Sequence, residues 1–329
     1  MFNSVFAREM DAYIELRTAV VSEITSAHDR RVLSLLDKYL VEISHQEKCL
    51  PENVLSEWSK TLSGKSKTIK EKLGVARGFG KYLNTLGYHS FLPTLPKVKS
   101  SYIPYIFSDL EIDRIFHYAD NLTPVKPGSS SAFFTLEVPM VLRILYSCGT
   151  RLGETMSLQR KDVDFKNRTI FLRKTKFSKE RTIPAHESLI GILERYCLAL
   201  GILHQPEAFL FPGKKEGTHY TARQMQFWFS KILEAANIDQ GDRKSNERGA
   251  SLHCFRHLFV LKSMQQLEAA GRSVDMNDLL LPSYLGHECL LDTDQYMRFS
   301  GVQVTESLDA FESFTAGLIP AVEVPYEED

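Results

Sequence analysis

Two short runs in the last third of the chain carry residue types that can grip a phosphate and attack it. One is His253-Cys254-Phe255-Arg256-His257; the other is Leu285-Gly286-His287, followed nine positions later by Tyr296. A third run upstream, Gly149-Thr150-Arg151-Leu152-Gly153-Glu154, places another arginine in apolar surroundings. Arginine is permanently charged, and its planar fork matches phosphate oxygens. Two arginines converging on one phosphate would neutralise the charge of a phosphodiester transition state. Each also has a plainer reading: Arg151 pairs with Glu154 along a helix, and Arg256 pairs with a surface acid. Tyrosine titrates near about 10, so as a nucleophile it needs its proton removed and its target made electrophilic. A cluster of Arg, Lys and His would do both.

Lys174, Lys176 and Lys179 lie between two strand-like runs, where a hairpin would carry them outward. A lysine on such a turn can protonate a leaving-group oxygen, or it can simply be solvated. His253 and His257 stand one helical turn apart and could share a zinc ion. Cys254, however, occupies the place of the glutamate in HExxH, and His253 with Arg256 shares a face equally well. No metal is expected. His287 follows a Leu-Gly turn and can donate to a phosphate oxygen or serve the fold. No carboxylate cluster is placed to hold Mg²⁺, so the cations must come from side chains.

These residues need a scaffold, and 329 residues with 43% hydrophobic content allow two domains. Apolar spacing over residues 5–44 predicts two helices broken near Ser26-Ala27-His28-Asp29. A third helix runs from Pro51 to Leu62, and a fourth from Ser66 to Leu86 with Gly87 just beyond it. Gly74, Gly78 and Gly80 weaken that fourth helix and imply close packing. Residues 1–88 are thus expected to form a four-helix domain. Pro93, Pro96 and Pro104 mark 89–107 as an extended linker. A second domain, 108–329, opens with the capping box Ser108-Asp109-Leu110-Glu111. Helices are expected at about 132–147, from the Arg151 turn, and at about 186–200, 221–236, 253–270 and 275–285. Strands are expected at 169–173 and 181–184, after a turn at 164–168. The chain is mostly α with one small sheet.

The net charge of −1 hides a local asymmetry. From Lys60 to Lys99 the sole acid is Glu71, against Lys60, Lys65, Lys67, Lys70, Lys72, Arg77, Lys81, Lys97 and Lys99. Such a stretch is either a nucleic-acid contact face or a solvated helix face. Five scattered cysteines form no CxxC pair, which argues against disulfides or a thiolate zinc site and for small buried residues. No apolar run approaches the roughly 20 residues needed to span a bilayer, and the first residues lack a signal-peptide core. A cytoplasmic protein is expected.

Taken in order, Arg151, a hairpin lysine, His253-x-x-Arg256, Leu-Gly-His287 and Tyr296 resemble the tyrosine recombinase (phage integrase) family over about 105–310. The basic four-helix region resembles that family's core-binding domain. The resemblance implies a mainly α fold. Its amino-terminal domain is a four-helix, SAM-like core-binding domain; its catalytic domain is mostly helical with a small three-stranded antiparallel sheet. It implies that Arg151, Lys176, His253, Arg256 and His287 are catalytic, Glu154 supports them, and Tyr296 is the nucleophile. Thr175 and Phe177 replace the glycines that often flank the family's lysine. Lys65, Lys67, Lys70, Arg77, Lys81, Lys97 and Lys99 are the expected DNA contacts. The implied activity is cleavage and rejoining of double-stranded DNA through a 3′-phosphotyrosine, without metal, nucleotide or other cofactor.

The family further implies a homotetramer on DNA, monomeric in free solution, in some cases with partner recombinases. A tail from about 300 to 329 is exchanged between subunits or packs on its own domain. No separate arm-binding domain is expected on the amino-terminal side. The runs Leu279 to His287 and Pro104 to Ser108 look like recombinases of mobile elements. The alternatives are a Xer-like resolvase of DNA dimers, a type IB topoisomerase, or a catalytically silent DNA-binding regulator; six intact catalytic types argue against the last.

Overall fold

The structure, a computed structural model of the full chain, describes residues 2–98, 104–123, 133–173, 180–213, 215–238, 249–269 and 284–285. It divides into two units, Met1–Ser101 and Tyr102–Asp329.

The first unit contains α1 (Ala7–Val20), α2 (Glu23–Glu42), α3 (Glu52–Thr61) and α4 (Ser66–Thr85). Their apolar stripes meet in a core that includes Phe6, Met10, Leu33, Leu36, Trp58 and Phe79. The α1–α2 break lies at Val21–Ser22, not near Ser26–Asp29. The Ser22 hydroxyl accepts the Thr25 N–H and caps α2. Ser26 and Asp29 are instead buried inside α2. Asp29 accepts from Arg17 Nε at 2.8 Å, and the Ser26 and Thr18 hydroxyls lie 2.6 Å apart. The polar cluster that reads as a break is the seam between two packed helices.

Gly87, with φ 85°, ends α4 as expected. A Cβ on Gly78 would lie 2.6 Å from the Tyr13 hydroxyl, and one on Gly80 would lie 2.8 Å from Ser90 Oγ. Close packing therefore explains these two glycines, whereas Gly74 faces open space. Residues 89–93, expected as linker, are bonded to this unit. Leu50 N–H donates to His89 O, Phe91 N–H donates to Leu50 O, and Arg77 Nη1 donates to the carbonyls of Leu92 and Pro93.

The second unit is built on α6 (Phe134–Cys148), an almost wholly apolar helix. It packs against α5 (Asp109–Asp120), α8 (Glu187–Ala199) and α10 (Cys254–Ala269). The capping box forms at the start of α5: Ser108 Oγ accepts from Glu111 N, and the Glu111 carboxylate accepts from Ser108 N. Helix α9 (Ala222–Ala235) packs against α5 and stacks Trp228 on Phe134 with ring centroids 4.5 Å apart.

A short α7 (Leu152–Met156) follows α6 and leads to the sheet. Strands β1 (Val163–Asp164), β2 (Thr169–Leu172) and β3 (Arg181–Pro184) form an antiparallel three-stranded sheet in the order β1-β2-β3. Leu172 and Arg181 close the β2–β3 pair, so the chain from 173 to 180 leaves and returns at their level. Tyr284 and Leu285 are helical. The rest of the helix expected at 275–285, and the tail from 300, lie outside the described residues.

Candidate active site

The Arg151 turn is set by the end of α6. Gly149 takes the left-handed conformation, φ 57°, that terminates a helix. Arg151 is then extended, at φ −74° and ψ 146°, and caps α7. Glu154, one turn on, is buried beneath it and makes four contacts. Its carboxylate accepts from Arg151 N at 3.0 Å and Arg151 Nη1 at 2.8 Å. It also accepts from Arg181 Nη1 at 3.2 Å and Nη2 at 3.0 Å. Burial alone would push the Glu154 carboxyl up. The hydrogen bonds from Arg181 and from the Arg151 backbone and side chain, with the Arg181 charge, outweigh it and hold the group below its ordinary value of 4.5.

Arg256 sits in the first turns of α10 and is 2% exposed. Its Nη1 donates to Gly149 O at 2.8 Å, and its Nη2 donates to Leu285 O at 2.9 Å. One guanidinium thus joins the turn before Arg151 to the residue pair that leads into Gly286-His287. Arg181 makes a parallel link, since its Nε donates to Tyr284 O at 2.7 Å.

His253 precedes α10 and is exposed, while His257 one turn later is buried. Their rings pack edge to face with centroids 4.7 Å apart. Burial, then the charges of His253 and Arg256, push His257 down to about 3, so its imidazole is neutral. His253 also borders a cavity of about 380 Å³ shared with Thr150 and Leu152, the two neighbours of Arg151. The His253 box and the Arg151 turn therefore open onto the same space.

Arg151 and Arg181 share the Glu154 carboxylate, and Arg256 holds the Gly149 carbonyl two residues before Arg151, so three guanidinium groups cluster near one carboxylate, an excess of positive charge suited to an anion. Cys148 lines the same region, its thiol pushed up to about 12 by burial and bonded to the Tyr284 side chain. Cys197 and Cys254 are also buried, whereas Cys49 is half-buried. Among the described residues no group of three or more His, Cys, Asp or Glu could hold a metal ion. None of their helices is long and apolar enough to cross a membrane.

The structure thus brings together Arg151, Glu154 and Arg256, with His253 at the edge of the same cavity. Lys176, His287 and Tyr296 lie outside the described residues, as does Lys99.

The profile of the phage integrase family matches residues 108–300. This chain belongs to the phage integrase family. Its members are tyrosine site-specific recombinases, which cleave and rejoin DNA through a tyrosine. A Sinorhizobium fredii protein described as an integrase/recombinase, y4rE, is 27% identical over 243 residues, covering 72% of this chain and 74% of its own length. The tyrosine recombinase XerC of Oceanobacillus iheyensis is 27% identical over 239 residues, covering 70% of this chain and 69% of its own. In fold, the XerH site-specific recombinase, solved on its difH substrate, superposes with a TM-score of 0.66 at 18% identity, covering 88% of this chain and 80% of XerH.

In this recombinase Lys65, Lys67, Lys81 and Lys97 are exposed on the first unit, and Lys70 is half-buried. Arg77 is half-buried too, and braces Leu92 and Pro93. Arg181 is not among the site residues the sequence motifs predict. Its signal is the Lys179-Glu180-Arg181 end of the hairpin run, where a strand residue carries a cation toward a buried acid about a turn after Arg151.

Proposed function

We propose that this recombinase acts on a mobile genetic element, cutting and rejoining double-stranded DNA at specific sites through a 3′-phosphotyrosine on Tyr296. One observation carries the reading most: Arg256 holds both the Arg151 turn and the carbonyl two residues before His287. Motifs about a hundred residues apart in sequence are thereby gathered at one positively charged locus.

In the proposed step Tyr296 Oη attacks a backbone phosphorus, and its proton passes to His253. The phosphorus–5′-oxygen bond breaks, and Lys176 protonates the leaving oxygen. Arg151 and Arg256 bind the non-bridging oxygens with help from His287, and Glu154 fixes Arg151. The new phosphotyrosine bond keeps the phosphoester energy. A 5′-hydroxyl from another strand can therefore attack it, release Tyr296 and complete the exchange. The step needs neither metal nor nucleotide. Lys65, Lys67, Lys70, Lys81, Lys97 and Lys99, with Arg77, supply phosphate contacts. Four subunits assemble on two DNA sites, with the segment after Tyr296 joining neighbours and, in some settings, with partner recombinases. A protein that acts on chromosomal or element DNA in this way works in the cytoplasm, at the nucleoid.

The mobile-element assignment rests on the Leu279–His287 and Pro104–Ser108 runs and on the likeness to y4rE. A second reading, resolution of DNA dimers, is favoured by the similar identity to XerC. Repeats flanking the gene that recombine in a two-site plasmid assay support the first reading; recombination at chromosomal dimer sites supports the second. The chemistry is tested with suicide DNA carrying the verified site. Wild type should yield a denaturation-resistant protein–DNA adduct, and Tyr296→Phe should yield none. No adduct with wild type sinks the catalytic reading, and an adduct that persists in Tyr296→Phe sinks the nucleophile assignment.

A further inference from the structure

Arg181 carries more than charge neutralisation requires. Glu154 already has Arg151 as a partner at 2.8 Å. A second guanidinium beside one buried carboxylate costs desolvation that a single ion pair would avoid. The Arg181 side chain is 12% exposed, so it is not held there by water. What it adds is geometric. Its fork meets both Glu154 oxygens while its Nε meets the Tyr284 carbonyl. Three edges used at once suit a planar guanidinium and not a lysine's point charge.

Its place in the chain matters as well. Arg181 is the first residue of β3 and pairs with Leu172, so it stands at the foot of the hairpin whose connection contains Lys176. Tyr284 stands three residues before His287. We propose that Arg181 is a positioning residue that ties strand β3 and Tyr284 to the Arg151–Glu154 pair. Groups from three separate stretches of chain then stay in register on one phosphate. This inference rests on the proposed strand-cleavage reaction.

The test uses the full chain as Arg181→Lys and Arg181→Gln. Four quantities are read: the adduct-forming rate on saturating suicide DNA, DNA affinity by mobility shift, the thermal midpoint, and hydrogen exchange over 149–156 and 284–285 without DNA. A displacement of about 1 Å at a reacting group costs on the order of 100-fold in rate. Both variants should therefore slow adduct formation by about that factor while binding DNA within about 2-fold of wild type, and lysine should not rescue. Exchange should quicken in both stretches. Adding Glu154→Gln to Arg181→Gln should slow the reaction by less than the product of the two single effects, because both changes lose the same Arg181–Glu154 contact.

Wild-type rates in either variant would overturn the proposal. So would a loss explained wholly by unfolding and weaker binding, or full multiplication of the two effects. If wild type forms adduct and the Arg181 variants match it, this inference alone falls. If wild type forms none, the reaction falls with it, and unchanged exchange at both stretches would also refute the structural tie.

Discussion

Glu154 and His257 are both buried titratable groups at the site, and acid acts on them in different pH windows. The Glu154 carboxyl is depressed below 4.5 in the folded state, so its contribution is present above that value and is lost as pH falls through the depressed one. His257 is also depressed, from 6.5 to about 3. Between those values the unfolded chain takes a proton that the folded chain refuses, so stability falls as pH drops below 6.5. By pH 4.5 that loss is about 2–3 kcal/mol. His257→Leu should therefore flatten urea midpoints between pH 6.5 and 4.5 and lessen, without abolishing, the loss below that range, where Glu154 also contributes. An unchanged slope in the variant would assign the acid sensitivity elsewhere. The arginines themselves were legible as residue types, but the partners of Arg256 were not. A surface acid was a fair expectation for an isolated arginine. Here Phe255, Leu258 and Val260 bury this stretch of α10 in the core, where backbone carbonyls are the acceptors at hand.

At the scale of elements, the junction of α6 with α7 does the aiming. Gly149 adopts a left-handed conformation that a side chain disfavours, and a Cβ there would come within 2.4 Å of the Phe259 ring on α10. Its carbonyl is also the one Arg256 holds. Gly149→Ala combines a backbone penalty with overpacking, together about 2–4 kcal/mol. Trp58 belongs to the first unit and Trp228 to the second, so in a Trp58→Phe background tryptophan emission reports the second unit. Its urea midpoint should fall accordingly, and adduct formation should slow. A change within about 0.5 kcal/mol, the usual range for an innocuous site, would contradict this account. Helix existence was legible throughout from apolar spacing, and so was the capping box at Ser108. The α1–α2 boundary was not. Ser26 and Asp29 look like loop residues until Thr18 and Arg17, on the neighbouring helix, satisfy them.

Across the whole molecule, near-zero net charge conceals a first unit with exposed lysines along and beyond α4. If Lys65, Lys67 and Lys81 each neutralise a phosphate, replacing all three with glutamine should reduce the slope of log K against log salt by about 3, close to 0.9 for each contact. Titrations between low and moderate salt would measure it, and an unchanged slope would place the DNA on another face. The order of Arg151, Lys176, His253, Arg256, His287 and Tyr296 was determined by the sequence alone, and with it the family, because reactive side-chain types are properties of residues. Tertiary structure decided how Arg151, Glu154 and Arg256 are held together. The bonds from Arg256 to Gly149 and from Arg181 to Tyr284 span 107 and 103 residues. Arg181 joins the site through the second of these and its bonds to Glu154, because contacts across such separations exist only once the apolar faces of α6 and α10 have packed and brought the segments within hydrogen-bonding reach.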